Sequence, residues 1–387
     1  MLESCAMKKT NMIKAVLISA LLAGCSGNQA SVSSASADLT DNTYARTSTE
    51  QIFDTVYAYQ EYGVSDSTAK KHFEESEKLL KEYNDLYDIY NDYKGISNLK
   101  TINDNAGKKP VKVDQKIIDM LKMAKEFYSY SDGEFDITMG SLLNVWHTYR
   151  EDGIKLNEKG ELGKLPSDDE LKKAAVHKGW DKVQIDEKAK TVYITDPDVS
   201  LDVGGIAKGY AAEMTAQAME KEGMKSGVLN VGRNIRLVGM KTDGTDWNVG
   251  IADPSGNMPN GILAIQEDHP LSVVTSGDYE RYYKAEDGKI YPHIVDPHTL
   301  YPATTYHSVT ILTEDSGAAD CLSTTLFTMS VEEGKQVLKK YTADTGKDAQ
   351  AVWIMDQNKT QNEDGKNVES YFITYTDGLK DLITWQN

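Results

Sequence analysis

The chain has 387 residues, 40% of them hydrophobic, and its 60 acidic against 42 basic side chains give a formal net charge of −18. That acidic surplus runs along the whole length, which argues against nucleic acid as a partner, since binding it demands a basic footprint, and against flat adsorption onto anionic lipid. Cysteines occur only at 5, 25 and 321, so the mature domain has no pair for an internal disulfide, and its stability must come from a core that roughly 340 residues are enough to build.

The first segment reads as an export signal. Met7-Lys8-Lys9 and Lys14 flank an apolar run, Ala15 to Leu22, and Leu22-Ala23-Gly24-Cys25 closes it. The run is shorter than the ~20 residues a membrane-spanning helix needs. The order of basic flank, apolar core and small residues predicts a signal peptide over 1–24, and the small residues before the cysteine resemble the lipobox of bacterial lipoproteins. Cys25 is therefore the expected site of lipidation, with the protein held at the cell membrane on its extracytoplasmic face. Met7 and Met12 are alternative starts. Residues 25–46 are rich in Ser, Ala, Asn, Gln and Thr without a period, and are expected as a flexible linker to a single domain over 47–387.

Within that domain, the alternation Ile52 to Tyr59 predicts the opening strand. Phe73, Leu79, Leu80, Tyr83, Leu86 and Tyr87 fall at helical period after Ser67 as a cap, and a second helix is expected from about Asp114 to Tyr128. Residues 151–165 read as loop, and Ser167 opens a further helix to about Lys178. Val183–Ile185 and Val192–Ile194 read as a hairpin. A helix follows Gly205 through Met219, then strand-like runs at 227–231, 247–251, 261–265, 271–275 and 308–312. Two more helices, from about Ser316 and over Val331–Tyr341, precede strands at 351–355 and 371–375. Strands that neighbour one another rather than alternate with helices predict an α+β fold with largely antiparallel sheet.

Several segments hold chemistry, each with a plainer structural reading beside it. Leu201-Asp202-Val203-Gly204-Gly205-Ile206-Ala207-Lys208 passes from a strand-like stretch through two glycines into a helix; the free N–H groups there, with Lys208, suit a phosphate. Asp320 and Thr324, four residues apart on one helix face, offer two hard oxygens to Mg²⁺; alternatively Asp320 serves a helix dipole and Thr324 bonds back to its own backbone. His293, in Tyr291-Pro292-His293-Ile294-Val295-Asp296-Pro297, is either structural or a proton carrier beside a diphosphate. Thr275-Ser276-Gly277 at a strand end presents small donors to phosphate oxygens, or makes an ordinary turn. Asn230-Val231-Gly232-Arg233 is a glycine turn. Asp132-Gly133 and the Gly140-Ser141-Leu142 run mark either a ligand-binding edge or a hairpin.

Taken in this order, the strings from about Phe53 to Phe327 resemble the ApbE family, the FAD:protein FMN transferases, whose fold is a single ApbE-like (T-fold-like) catalytic domain. The resemblance implies that FAD is bound as substrate with Mg²⁺ at its diphosphate. It implies Asp320 and Thr324 as metal ligands together with the backbone carbonyl of Gly205. By the same resemblance Phe53, Gly140, Ser141, Leu142, Asp202 and Lys208 contact the flavin nucleotide, as Thr275, Ser276 and Gly277 are expected to, and His293 lies near the diphosphate. The implied reaction moves FMN onto a threonine or serine hydroxyl of an exported or membrane redox protein and releases AMP. Lys208 and the metal would gather positive charge there, with His293 as first proton acceptor and Asp278 or Asp296 as weaker ones. An FAD hydrolase yielding FMN and AMP, or a tethered FAD-binding lipoprotein without chemistry, are the competing readings. The chain departs from the family pattern at Arg233 and Leu300, where glycine is frequent, and at Ser141, where proline is. A β-carbon at 233 or 300 disfavours positive φ, so those turns are expected to differ.

Overall fold

The computed structural model describes residues 43–359 and 365–386; the expected signal peptide, Cys25 and most of the expected linker lie outside the described residues. A nine-stranded sheet, antiparallel at every pairing, forms the centre. In spatial order its strands are Thr43–Thr47, Tyr57–Tyr62, Gly227–Val231, Asn234–Val238, Ser272–Gly277, Ser308–Thr313, Ala349–Asp356, Tyr371–Tyr375 and Gly365–Val368. The described helices are α1 (Asp66–Tyr87), α2 (Leu99–Asp104), α3 (Gln115–Tyr130), α4 (Gly140–Asn157), α5 (Asp168–Ala175), α6 (Ala207–Glu222), α7 (Ser316–Thr328) and α8 (Val331–Thr345).

Because side chains alternate along a strand, the central strands feed two cores. Val274, Val309, Ile311, Ala351 and Trp353 join one apolar cluster, with residues of α1, α3, α6, α7 and α8. Val273, Leu312, Val352 and Ile354 join another, shared with a three-stranded sheet of Trp247–Ile251, Leu263–Glu267 and Ile383–Trp385. A third cluster holds α4 and α5 against the hairpin Tyr282–Lys284 and Ile290–Pro292, through Leu142, Trp146, Tyr283 and Tyr291. The α+β class and the antiparallel sheet agree with the sequence. No helix among the described residues is long and apolar enough to cross a membrane.

Four expectations need correction. The sheet begins at Thr43, inside the stretch expected as linker, because Thr43–Thr47 pairs with Tyr57–Tyr62. Residues 52–55 close a turn instead of opening a strand, with Phe53 and Asp54 at φ 55° and 53°. The segment expected as loop from 151 contains the last turns of α4. Arg233 and Leu300 do adopt positive φ, at 69° and 65°, although each carries a β-carbon.

Candidate active site

Two helices cross to make the site. α7 is buried on nearly every side, as a central helix must be when it is apolar all round. Asp320 interrupts that composition and is only 3% exposed. α6 begins without a side-chain cap of its own, at Ile206, and Asp320 supplies one from the other helix: its Oδ2 accepts the Gly209 N–H at 2.9 Å. α6 reciprocates, since Glu213 accepts the N–H of Ser316, the first residue of α7, at 3.0 Å. Glu213 is itself fixed by Arg236 at 2.9 Å. The two helices therefore cap each other where they touch.

That crossing delivers the expected metal donors. Burial raises the Asp320 carboxyl above its ordinary range, while Lys208 and the Gly209 N–H pull it back. Lys208 Nζ lies 3.9 Å from Asp320 Oδ2 and donates to the Gly204 carbonyl at 3.3 Å. The second Asp320 oxygen accepts no hydrogen bond among the described residues. Thr324 settles its own alternative. Ser323 bonds back to the Asp320 carbonyl at 3.0 Å and Thr325 to Cys321 at 2.7 Å. The Thr324 hydroxyl makes no such bond among the described residues, and it abuts Gly205: a β-carbon on Gly205 would lie 3.1 Å from Thr324 Oγ1. A buried carboxylate with a spare oxygen, a spare hydroxyl and a glycine backbone side by side form an all-oxygen set that fits Mg²⁺.

Each of the remaining expected residues has its own packing or hydrogen-bond partners, and one turns away from α7. Asp202 accepts the Gly204 N–H at 2.9 Å and its own N–H bonds the Ile137 carbonyl at 2.8 Å. Gly140 lies against the segment just before Asp202: its N–H meets the Ser200 carbonyl at 2.9 Å, and a β-carbon there would sit 2.4 Å from that oxygen. Ser141 donates to the Asp198 carbonyl, and Leu142 is buried in the third cluster. Phe53 is drawn in through its carbonyl, which accepts from Arg281 at 3.5 Å. Ser276 bonds Ser323 at 2.8 Å, one turn from Asp320, and Gly277 packs on the Tyr279 ring. Thr275 is the one that turns away. Its hydroxyl bonds Thr310 at 2.8 Å across the strand pair, so its side chain faces the second core, away from α7.

His293 sits among cations. Burial first, then Arg281, Arg150 and Lys208, push its pKa from 6.5 down to about 3, so the imidazole is neutral. Its Nδ1 is buried without a partner. The two weaker proton acceptors are already engaged: Asp278 holds His307 at 2.9 Å, and Asp296 accepts the N–H groups of His298 and Thr299. A histidine with a folded pKa below its unfolded one stabilises the fold fully above about pH 6.5, and that contribution is lost as pH falls toward 3. The unfolding midpoint of the wild type should therefore fall further between pH 7 and pH 4 than that of His293→Gln; parallel curves in thermal denaturation would remove His293 from this account.

Sequence reasoning missed Arg150, His147, Tyr90 and Glu280. Arg150 and His147 act electrostatically on Asp202. Glu280 pairs with Arg233 at 3.2 Å and feels Lys208 and Asp320. A signal for Arg150 is present in the sequence, because Leu142, Trp146 and Arg150 recur every fourth residue, but a charged residue at the end of such a stripe reads as its solvent boundary.

Residues 53–346 match the model of the ApbE family. The chain is 29% identical over 279 residues to an FAD:protein FMN transferase of Vibrio cholerae serotype O1, covering 72% of this chain and 78% of that protein. It is 31% identical over 261 residues to an FAD:protein FMN transferase of Treponema pallidum, covering 63% of this chain and 68% of that one. The crystal structure of the ApbE protein from Thermotoga maritima superposes with a TM-score of 0.67 at 29% identity, covering 81% of this chain and 94% of the other.

Proposed function

The chain belongs to the ApbE family, and from that premise we propose that it moves FMN from FAD onto a threonine or serine hydroxyl of an exported or membrane redox protein, releasing AMP. The observation that carries this reading is the convergence of Asp320, Thr324, Gly205 and Lys208 at one helix crossing. Transfer needs positive charge on the diphosphate oxygens as AMP departs. Lys208 brings one such charge from the first turn of α6, whose N-terminal dipole adds to it. A divalent cation such as Mg²⁺, held by Asp320, Thr324 and the Gly205 carbonyl, would supply Lewis-acid polarisation of the diphosphate when bound.

In the reaction the acceptor oxygen bonds the phosphorus on the riboflavin side. The bond from that phosphorus to the oxygen leading to AMP breaks, AMP keeps that oxygen, and the hydroxyl proton passes to a base. His293 suits that task through its neutral, unpartnered Nδ1. Arg281, Arg150 and Lys208 oppose its protonation in the free site; a bound diphosphate offsets them, so the substrate makes its own proton acceptor competent. The leader and Cys25 support a lipid anchor that would keep the enzyme beside exported acceptors.

The test is incubation of the full chain with FAD, Mg²⁺ and a threonine-bearing acceptor peptide. Flavin fluorescence that stays on the peptide after denaturation, with AMP released in equal amount, is the expected result. Free FMN with AMP would make it an FAD hydrolase, and intact FAD would leave a binding protein. Cys25→Ser should move the protein from the membrane to the soluble fraction, and a variant still sedimenting with membranes would end the anchor proposal.

A further inference from the structure

α4 turns Leu142, Trp146 and Arg150 inward along one stripe. The first two fill an apolar cluster; the third is a guanidinium only 8% exposed. A buried arginine is ordinarily matched by a carboxylate, because an unmatched charge out of water is costly. Two other arginines near the crossing helices obey that rule, the buried Arg236 with Glu213 at 2.9 Å and the half-buried Arg233 with Glu280 at 3.2 Å, while the exposed Arg281 lies 3.7 Å from Asp54. Arg150 makes no ion pair among the described residues. It donates one bond, from Nη2 to Nδ1 of His147 at 2.8 Å, and its Nε is buried with no partner. His147 is held in turn by the Tyr90 ring, stacked on it at 4.8 Å. A charge on a core stripe, with one side of its fork empty, breaks the local folding rule in the way a binding residue does.

Resting on the FAD-dependent reading above, we propose that Arg150 is a phosphate-binding residue, its free guanidinium edge pairing with a phosphoryl oxygen of the bound dinucleotide. Trp146, one turn before Arg150, stacks on Tyr291 at 5.6 Å, two residues from His293, and Arg150 and Arg281 act electrostatically on both His293 and Asp202, so the unpaired guanidinium belongs to the neighbourhood of those two expected nucleotide contacts. The planar fork is suited to two parallel bonds to a tetrahedral phosphate, and His147 uses only one of its donors.

Titration of the full chain, as wild type, Arg150→Gln and Arg150→Lys, with FAD, FMN and riboflavin reads this directly. Arg150→Gln should weaken FAD and FMN binding about 10- to 100-fold, the scale of one charge-assisted bond in a buried site. Riboflavin, which has no phosphate, should bind within about twofold of wild type, and Arg150→Lys should fall between. Unchanged FAD affinity in Arg150→Gln, or an equal loss for riboflavin, overturns the assignment. So does a raised KM for an acidic acceptor peptide with unchanged FAD affinity, which would make a carboxylate the partner. Should Arg150→Gln not fold, the buried Nε–H resonance of the wild type, identified by its absence in Arg150→Lys, should shift with FAD and with inorganic pyrophosphate but not with riboflavin; a silent resonance sinks the proposal. A wild type that binds no FAD overturns the functional reading itself, whereas a wild type that binds beside an unaltered variant overturns only the role of Arg150.

Discussion

Asp320→Asn should leave the protein folded and lower FMN transfer by about a thousandfold or more, the scale expected when a metal-anchoring charge is removed from a phosphoryl-transfer site. The substitution separates two duties that alanine would confuse. The amide oxygen of the introduced side chain can still accept the Gly209 N–H that Asp320 now accepts at 2.9 Å, so the cap on α6 survives. The negative charge does not. Burial already disfavours that charge, so without metal the variant should be at least as stable as the wild type. With millimolar Mg²⁺ the order should reverse, since a cation that binds only the folded state raises its stability by mass action. Thermal unfolding with and without Mg²⁺, beside the peptide transfer assay, checks both halves. A wild-type rate in Asp320→Asn, or an Mg²⁺-dependent stabilisation that persists in it, would remove Asp320 from the site.

The parts of this fold that were legible were those whose period matches their burial. α1 and α3 carry apolar stripes facing the first core, and the Ser272–Gly277 and Ser308–Thr313 strands alternate between two cores. α4 escaped because tertiary contacts override its composition. Gly153 and the charged residues beside it read as loop, yet a β-carbon on Gly153 would lie 2.2 Å from the Tyr283 ring; glycine is there for close packing rather than for a turn. Spacing puts Asp320 and Thr324 on one helix face, but their role as donors beside Gly205 came only with the resemblance to the ApbE family. The electrostatic setting of that donor set was not legible, because Arg150, Arg281 and Lys208 come together only through three distant chain segments.

The turns at 233 and 300 show why a missing glycine does not forbid a glycine conformation. A β-carbon in the left-handed region costs about 1–2 kcal/mol. Arg233 offsets this with contacts that glycine lacks. Its guanidinium lies 4.7 Å over the Tyr279 ring, donates to the Tyr279 hydroxyl at 2.8 Å and pairs with Glu280 at 3.2 Å. Leu300 is held by its backbone, whose carbonyl accepts the Trp146 indole N–H at 2.8 Å. Sequence alone weighs the cost of the β-carbon and cannot see these partners.

Gly209→Ala should be severely damaging, because Gly209 is where α6 and α7 touch. Its β-carbon would fall 2.2 Å from the Ser316 carbonyl oxygen and 2.5 Å from the Asp320 β-carbon. Neither obstacle is the far end of a flexible side chain, so the helices must separate. Separation strains both reciprocal caps, Gly209 to Asp320 and Ser316 to Glu213, and drags Asp320 away from Thr324 and Gly205. Overpacking of this kind costs about 3 kcal/mol, to which the loss of two charge-assisted bonds adds. Gly160→Ala is the matched control: Gly160 has φ 77° and open space around its would-be β-carbon, so it should cost about 1 kcal/mol and leave transfer unchanged. In chemical denaturation Gly209→Ala should unfold well before Gly160→Ala, and what remains folded should have lost most Mg²⁺ affinity. Near-equal midpoints with intact transfer would mean that the helices do not cross as closely as described, and the geometry on which the metal donors depend would fall with them.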